Sequence, residues 1–144
     1  MRLSKRSEYG IRALINLASR ESSELTSIKD IATQEKISIK FLEQIFLTLK
    51  NTGILQSKAG RGGGYHLGKA AENIYLGQIV RMLDGPLAPI RCVSETAYEP
   101  CGCPDEENCG LRMVMFDVRT AIAGILDKTT LADVLRRVDQ NNLS

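Results

Sequence analysis

Three successive helical patterns, a glycine-rich hairpin and a late helix with a long apolar stripe predict a mostly α fold. The arrangement they imply is a winged helix-turn-helix domain followed by a long dimerisation helix. The 144 residues suit one compact domain, or a small domain with an appended dimerisation element.

From Ser7 to about Arg20, Ile11, Leu14, Ile15 and Ala18 recur at the spacing of one helix face. After the polar break at Glu21 to Glu24, Ser27 is placed to cap a short helix, Ile28 to Gln34, with Asp30 in its first turn. Lys36 and Ile37 make a tight turn. Ser38 then caps a third helix with Phe41, Leu42, Ile45, Phe46 and Leu49 on its apolar face, ending at Gly53. Ile54–Leu55 and Tyr65–Leu67 flank a basic, glycine-rich tip and read as a two-stranded hairpin. A further helix is expected from Tyr75 to Leu83 and a long one from Cys109 to Asp127, striped by Leu111, Val114, Val118, Ile122 and Ile125. Thr129 or Thr130 caps a last helix, Leu131 to Val138. This divides the chain into a DNA-binding domain at 1–83, a cysteine loop at 84–108, and dimerisation and C-terminal helices at 109–144.

All four cysteines, Cys92, Cys101, Cys103 and Cys109, fall within eighteen residues of polar sequence broken by Pro100, Pro104, Gly102 and Gly110. A loop gains little from packing four thiols, so the grouping points to metal, an iron–sulfur cluster or redox pairing. The N-terminus does not resemble a signal peptide and no apolar run approaches a membrane span, so a cytoplasmic location with reduced thiols is expected. Structural zinc pairs cysteines two to four residues apart. Gaps of eight, one and five suit a loop wrapped around a larger cluster better, with zinc and a metal-free thiol switch as the alternatives.

Charge is divided. Residues 1–70 hold twelve Lys/Arg against six Asp/Glu, whereas residues 71–144 hold seven against eleven. A basic first half suggests a polyanion partner. The first turns of the third helix offer Ser38, Lys40, Glu43 and Gln44, the groups that a recognition helix presents to base edges, beside Phe41. At the wing tip, Lys58 and Arg61 stand among glycines that permit close approach to phosphate or the minor groove. A nucleotide-binding loop is excluded, because neither the βαβ order nor a Gly-Lys-Ser/Thr ending is present. His66, the one histidine, sits in the returning strand and is expected to be structural or close to DNA.

The stretches MRLSKRSEYGIRAL, ISIKFLEQIFLTLKNTGIL, GRGGGYHLGK and IAGILDKTTLADVL resemble the bacterial winged-helix regulators that include the iron–sulfur biogenesis regulator IscR and the nitric-oxide sensor NsrR. The resemblance covers nearly the whole chain. It implies a homodimer on palindromic double-stranded DNA and, in many members, an iron–sulfur cluster, [4Fe-4S] or [2Fe-2S], in the loop before the long helix. The family's three ligating cysteines fall on Cys92, Cys103 and Cys109, with Cys101 as an additional thiol able to replace or accompany Cys103. Where the biogenesis regulator has a histidine, this chain has Arg112, which stays protonated and is a poor ligand. Nitric-oxide sensors take a carboxylate from the partner's first helix, and that position is Glu8. The competing expectations are a DNA-binding regulator sensing through metal-free thiols and an iron–sulfur electron-transfer subunit. The latter lacks any acid–base constellation beside the cysteines.

Overall fold

The computed structural model describes residues 2–143. Six α-helices and one two-stranded sheet run in the order α1 (Lys5–Ala18), α2 (Ile28–Glu35), α3 (Ile39–Asn51), β1 (Leu55–Lys58), β2 (Gly64–Leu67), α4 (Leu76–Asp84), α5 (Gly110–Leu126) and α6 (Leu131–Asn142). The starts of four helices are set by side chains. Ser4, Ser27, Ser38 and Thr130 each accept a hydrogen bond from the amide three residues on, satisfying a donor that the helix leaves free.

The first helix begins two residues before the expected start, because Ser4 rather than Ser7 is the cap. Its buried face is also turned. Ser7, Gly10, Ala13, Leu14 and Leu17 are buried, while Ile11, Ile15 and Ala18 pack at the margin. Ser7, Gly10 and Ala13 are small, which lets α1 lie close against its neighbours. The last helix is four residues longer than expected and reaches Asn142.

The core is aliphatic around one aromatic ring. Phe46, Leu14, Ile31, Leu42, Ile45, Leu49, Ile54, Ile74, Ile79 and Leu131 are fully buried. Leu131 lies far along the chain but completes the core of the N-terminal elements. Its amide donates to the Ile74 carbonyl at 2.9 Å, and the Leu76 amide donates to Thr129 at 2.9 Å. Burying one leucine contributes about 1.5–3 kcal/mol, so the α6 start is held to α4 by more than its backbone bonds. The hairpin pairs Leu55 with Leu67, Gln56 with His66, Ser57 with Tyr65 and Lys58 with Gly64. None of the helices of the described residues is long and apolar enough to cross a membrane.

Arg81 of α4 grips the end of α5 with two parallel bonds to Asp127, at 2.5 and 2.9 Å. Those bonds hold the Asp127 carboxyl below the usual carboxylate range against the opposing effect of burial. A depressed carboxyl contributes stability above its unfolded pKa of about 3.9, and loses it as pH falls through the lower folded value. Both side chains are about a third or more exposed, at 32% and 41%, which caps the contribution at about 1 kcal/mol. Thermal unfolding should therefore show Arg81→Met destabilised near pH 7 and converging on the wild type below about pH 3. Curves that stay equally separated over that range would remove the pair from the stability of the α4–α5 junction.

Candidate nucleic-acid interface and cysteine loop

The turn between α2 and α3 is made by Lys36, whose φ of 58° is the one left-handed non-glycine backbone among the described residues. It ends α2, and Ser38 starts α3 two residues later, with Ile37 buried between them. Ser38, Lys40, Glu43 and Gln44 are all exposed along the first turns of α3. Phe41 is different. It is half-buried and meets Tyr9 of α1 edge-on, with ring centroids 5.7 Å apart, so it fixes the angle of the helix. Lys5 and Lys36 flank the shallow groove lined by Tyr9, Ser38 and Phe41, and the Lys5 ammonium stands 5.6 Å from the Tyr9 ring centre. Sequence reasoning missed both lysines as part of this face. A lysine at the inter-helix turn was the available signal for Lys36.

The wing has a fixed base and a free tip. Tyr65 packs on Phe46 of α3 at 4.8 Å between centroids, and exchanges two backbone hydrogen bonds with Thr26 at 3.0 and 2.8 Å. Gly64 lies between them at φ 155°, where a Cβ would come within 2.6 Å of the Thr26 carbonyl oxygen. Beyond it, Lys58 and Arg61 are exposed around left-handed turns at Gly60 and Gly62. His66 faces the other way. Half-buried, with Nδ1 2.9 Å from the Leu67 carbonyl, it lines a cleft behind the wing base with Arg20, Glu24 and Lys69.

The loop between α4 and α5 separates its cysteines into two groups. Cys92 is buried at 2% exposure in a short 3-10 turn, Arg91–Val93. Cys109 caps α5, its sulfur accepting from the Arg112 amide at 3.5 Å. The Arg112 side chain also donates to the Cys92 carbonyl at 3.3 Å, so one residue, through its amide and its guanidinium, ties the two positions together. Cys101 and Cys103 are joined to each other at the outer end of the loop. Around them, Tyr98 donates to Glu106 at 2.6 Å, and that bond raises the phenol above its ordinary pKa. Asn108 donates to Asp105 at 2.8 Å and holds its carboxyl low. Among the described residues, no three His, Cys, Asp or Glu side chains converge as a metal site. With Cys101 and Cys103 reduced, the loop would offer up to four thiolates, the ligand type that an iron–sulfur cluster takes. Glu8 stands apart on α1, paired with Lys5 at 3.3 Å.

The face of α5 expected to dimerise is open. Leu111, Val114 and Ile125 are 61%, 56% and 63% exposed, and Met113 and Phe116 are exposed on the other side of the helix. Val118 and Ile122 are half-buried, and Ile122 lines a depression with Leu3, Val80 and Pro86 of its own chain.

A profile of the Rrf2 family, described as iron-dependent transcriptional regulator, matches residues 3–137. An rrf2-like regulator of the helix-turn-helix type from Rhodobacter capsulatus is 38% identical over 137 residues, covering 92% of this chain and 91% of its own. The structure of CymR, the global cysteine regulator of B. subtilis, superposes with a TM-score of 0.78 at 32% identity, covering 93% of this chain and 95% of that one. IscR of T. potens gives 0.79 at 27% identity, covering 100% and 93%. These relatives are transcriptional regulators and not enzymes, and the six-helix winged architecture is common to them and this chain. The chain therefore belongs to the Rrf2 family of helix-turn-helix transcriptional regulators.

Proposed function

We propose that this regulator works as a cytoplasmic homodimer on palindromic double-stranded DNA, with its affinity set by an iron–sulfur cluster in the cysteine loop. The observation that carries this reading is continuity: Cys109 is both the last loop cysteine and the cap of α5, the helix with the open apolar face. A change at the loop is thus a change at the root of the dimer element, which sets the distance between two recognition helices. Cys92, Cys103 and Cys109 would hold the cluster, with Cys101 as a further thiolate and Glu8 of the partner subunit as the candidate carboxylate ligand. Bound there, the cluster supplies a centre that reacts with oxidants or is lost. Ser38, Lys40, Glu43 and Gln44 would meet base edges, and Lys58 and Arg61 the backbone and minor groove.

A second reading, sensing by metal-free thiols, is favoured by the joined Cys101 and Cys103 and by the likeness to the global cysteine regulator of B. subtilis. Iron and sulfide assays on protein purified without oxygen separate the two. The cluster reading expects a coloured protein that loses its iron in Cys92→Ser and Cys109→Ser; a colourless, iron-free wild type sinks it and leaves DNA binding standing.

For the DNA face, twelve cationic side chains in residues 1–70 should make binding fall steeply as salt rises. Replacing Arg61 with Ala should weaken it by about 1–3 kcal/mol in a mobility-shift titration. A protein that shifts no palindromic promoter fragment in any cysteine state refutes the assignment.

For the dimer, Val114→Asp places a charge at a position exposed in one chain but buried in the paired α5 seam. The penalty for an unpaired buried charge is roughly 3–5 kcal/mol, enough to leave folded monomers in sedimentation. A wild type that sediments as a monomer would rule the seam out.

A further inference from the structure

The outward face of α3 is polar except at its centre. Leu42, Ile45, Phe46 and Leu49 are buried against the domain. The helix period sets Lys40, Gln44, Leu47 and Asn51 on the opposite side, with Glu43 beside them. The four polar residues of that set are exposed. Leu47, in their midst, is 61% exposed. The positions on either side of it are occupied: Phe46 is fully buried, and Thr48 accepts from Arg6 of α1 at 2.8 Å. Ile39 is also open, at 41%, but stands at the helix start and toward the edge of this face.

A single exposed leucine is ordinary on a protein surface. This one is set apart by its company. It lies one helical turn beyond Glu43 and Gln44, on the face whose polar side chains would meet base edges. Four residues of α-helix advance about 6 Å, or roughly two base steps of about 3.4 Å. The major groove presents one apolar group on its base edges, the C5-methyl of thymine. Lys40, Glu43 and Gln44 can answer donors and acceptors there. Leu47 can answer only the methyl.

We propose that Leu47 is a specificity-determining residue that reads a thymine in each half-site by packing on its C5-methyl. The proposal rests on the reading that α3 enters the major groove. Contact removes both the leucine and the methyl from water, so the gain is hydrophobic and needs no hydrogen bond. The thymine lies about two base pairs from the position that Glu43 meets.

The test uses the full-length protein and a synthetic duplex, free of methylated cytosine, that it enriches from a random-sequence pool in either cysteine state. Each symmetry-related pair of thymines is changed in turn to deoxyuridine, which removes the methyl and keeps the base pairing. At one such position the wild type should lose about fourfold in affinity per half-site, the worth of one buried methyl. Leu47→Ala should bind the thymine duplex more weakly and be indifferent to deoxyuridine there, whereas Leu47→Met should regain the preference. The sensitive thymine should stand within about two base pairs of the position whose base preference Glu43→Ala relaxes. A Leu47→Ala protein that keeps the wild-type response to deoxyuridine hands the methyl to another side chain, Ile39 first, and overturns the proposal. So does a wild type indifferent to deoxyuridine at every position. A pool from which the wild type enriches no duplex overturns the DNA reading itself, and the role of Leu47 with it.

Discussion

The close approach of α1 to α3 and α4 at Gly10 governs how the other elements are placed. A Cβ at that position would sit 2.6 Å from Leu83 of α4 and 3.2 Å from Ile45 of α3. With no side chain there, three helices share one junction. The recognition helix and the helix that leads into the cysteine loop are thereby held to a common support. Packing at interior density leaves little room for one to shift without the other. The wing joins the same assembly through Tyr65 against Phe46. α1, α3, α4 and the wing thus form one packed unit, and adjustment is left to the loop and to α5, which have fewer partners in the core.

Much of this was legible in the sequence for a definite physical reason. Serine caps, the Lys36–Ile37 turn and the glycine-rich wing are local signals, since each depends on residues within a few positions of one another. The exposed set Ser38, Lys40, Glu43 and Gln44 followed directly from the period of α3. What escaped depends on distant contacts. The face of α1 was misjudged by a fraction of a turn, because Gly10 and Ala13 are buried by neighbours that the helix pattern does not reveal. Arg119 is charged and lies in a helix with an open apolar side, so its burial follows only from where the loop crosses it. The joining of Cys101 to Cys103 was likewise outside what spacing conveys.

The charge division has two different structural meanings. In the first half the cations Lys5, Lys36, Lys40, Lys58 and Arg61 are exposed. In the second half the acids of the loop are largely engaged: Glu95 with Arg119, Glu99 with Arg91, and Glu106 with both Arg112 and Tyr98. Much of the acidic balance there is thus met by partners within the loop and α5.

The seating of Leu131 beside Ile74 bears on how the molecule is made. A core assembled from residues 13–83 is completed by a side chain that follows the cysteine loop in the chain, so its last position is filled only after that loop has been made. The segment with all four sulfurs emerges before that closure. The four thiols are thus in place before the last core position is filled, and the burial of Cys92 belongs to a fold that residues made after it complete.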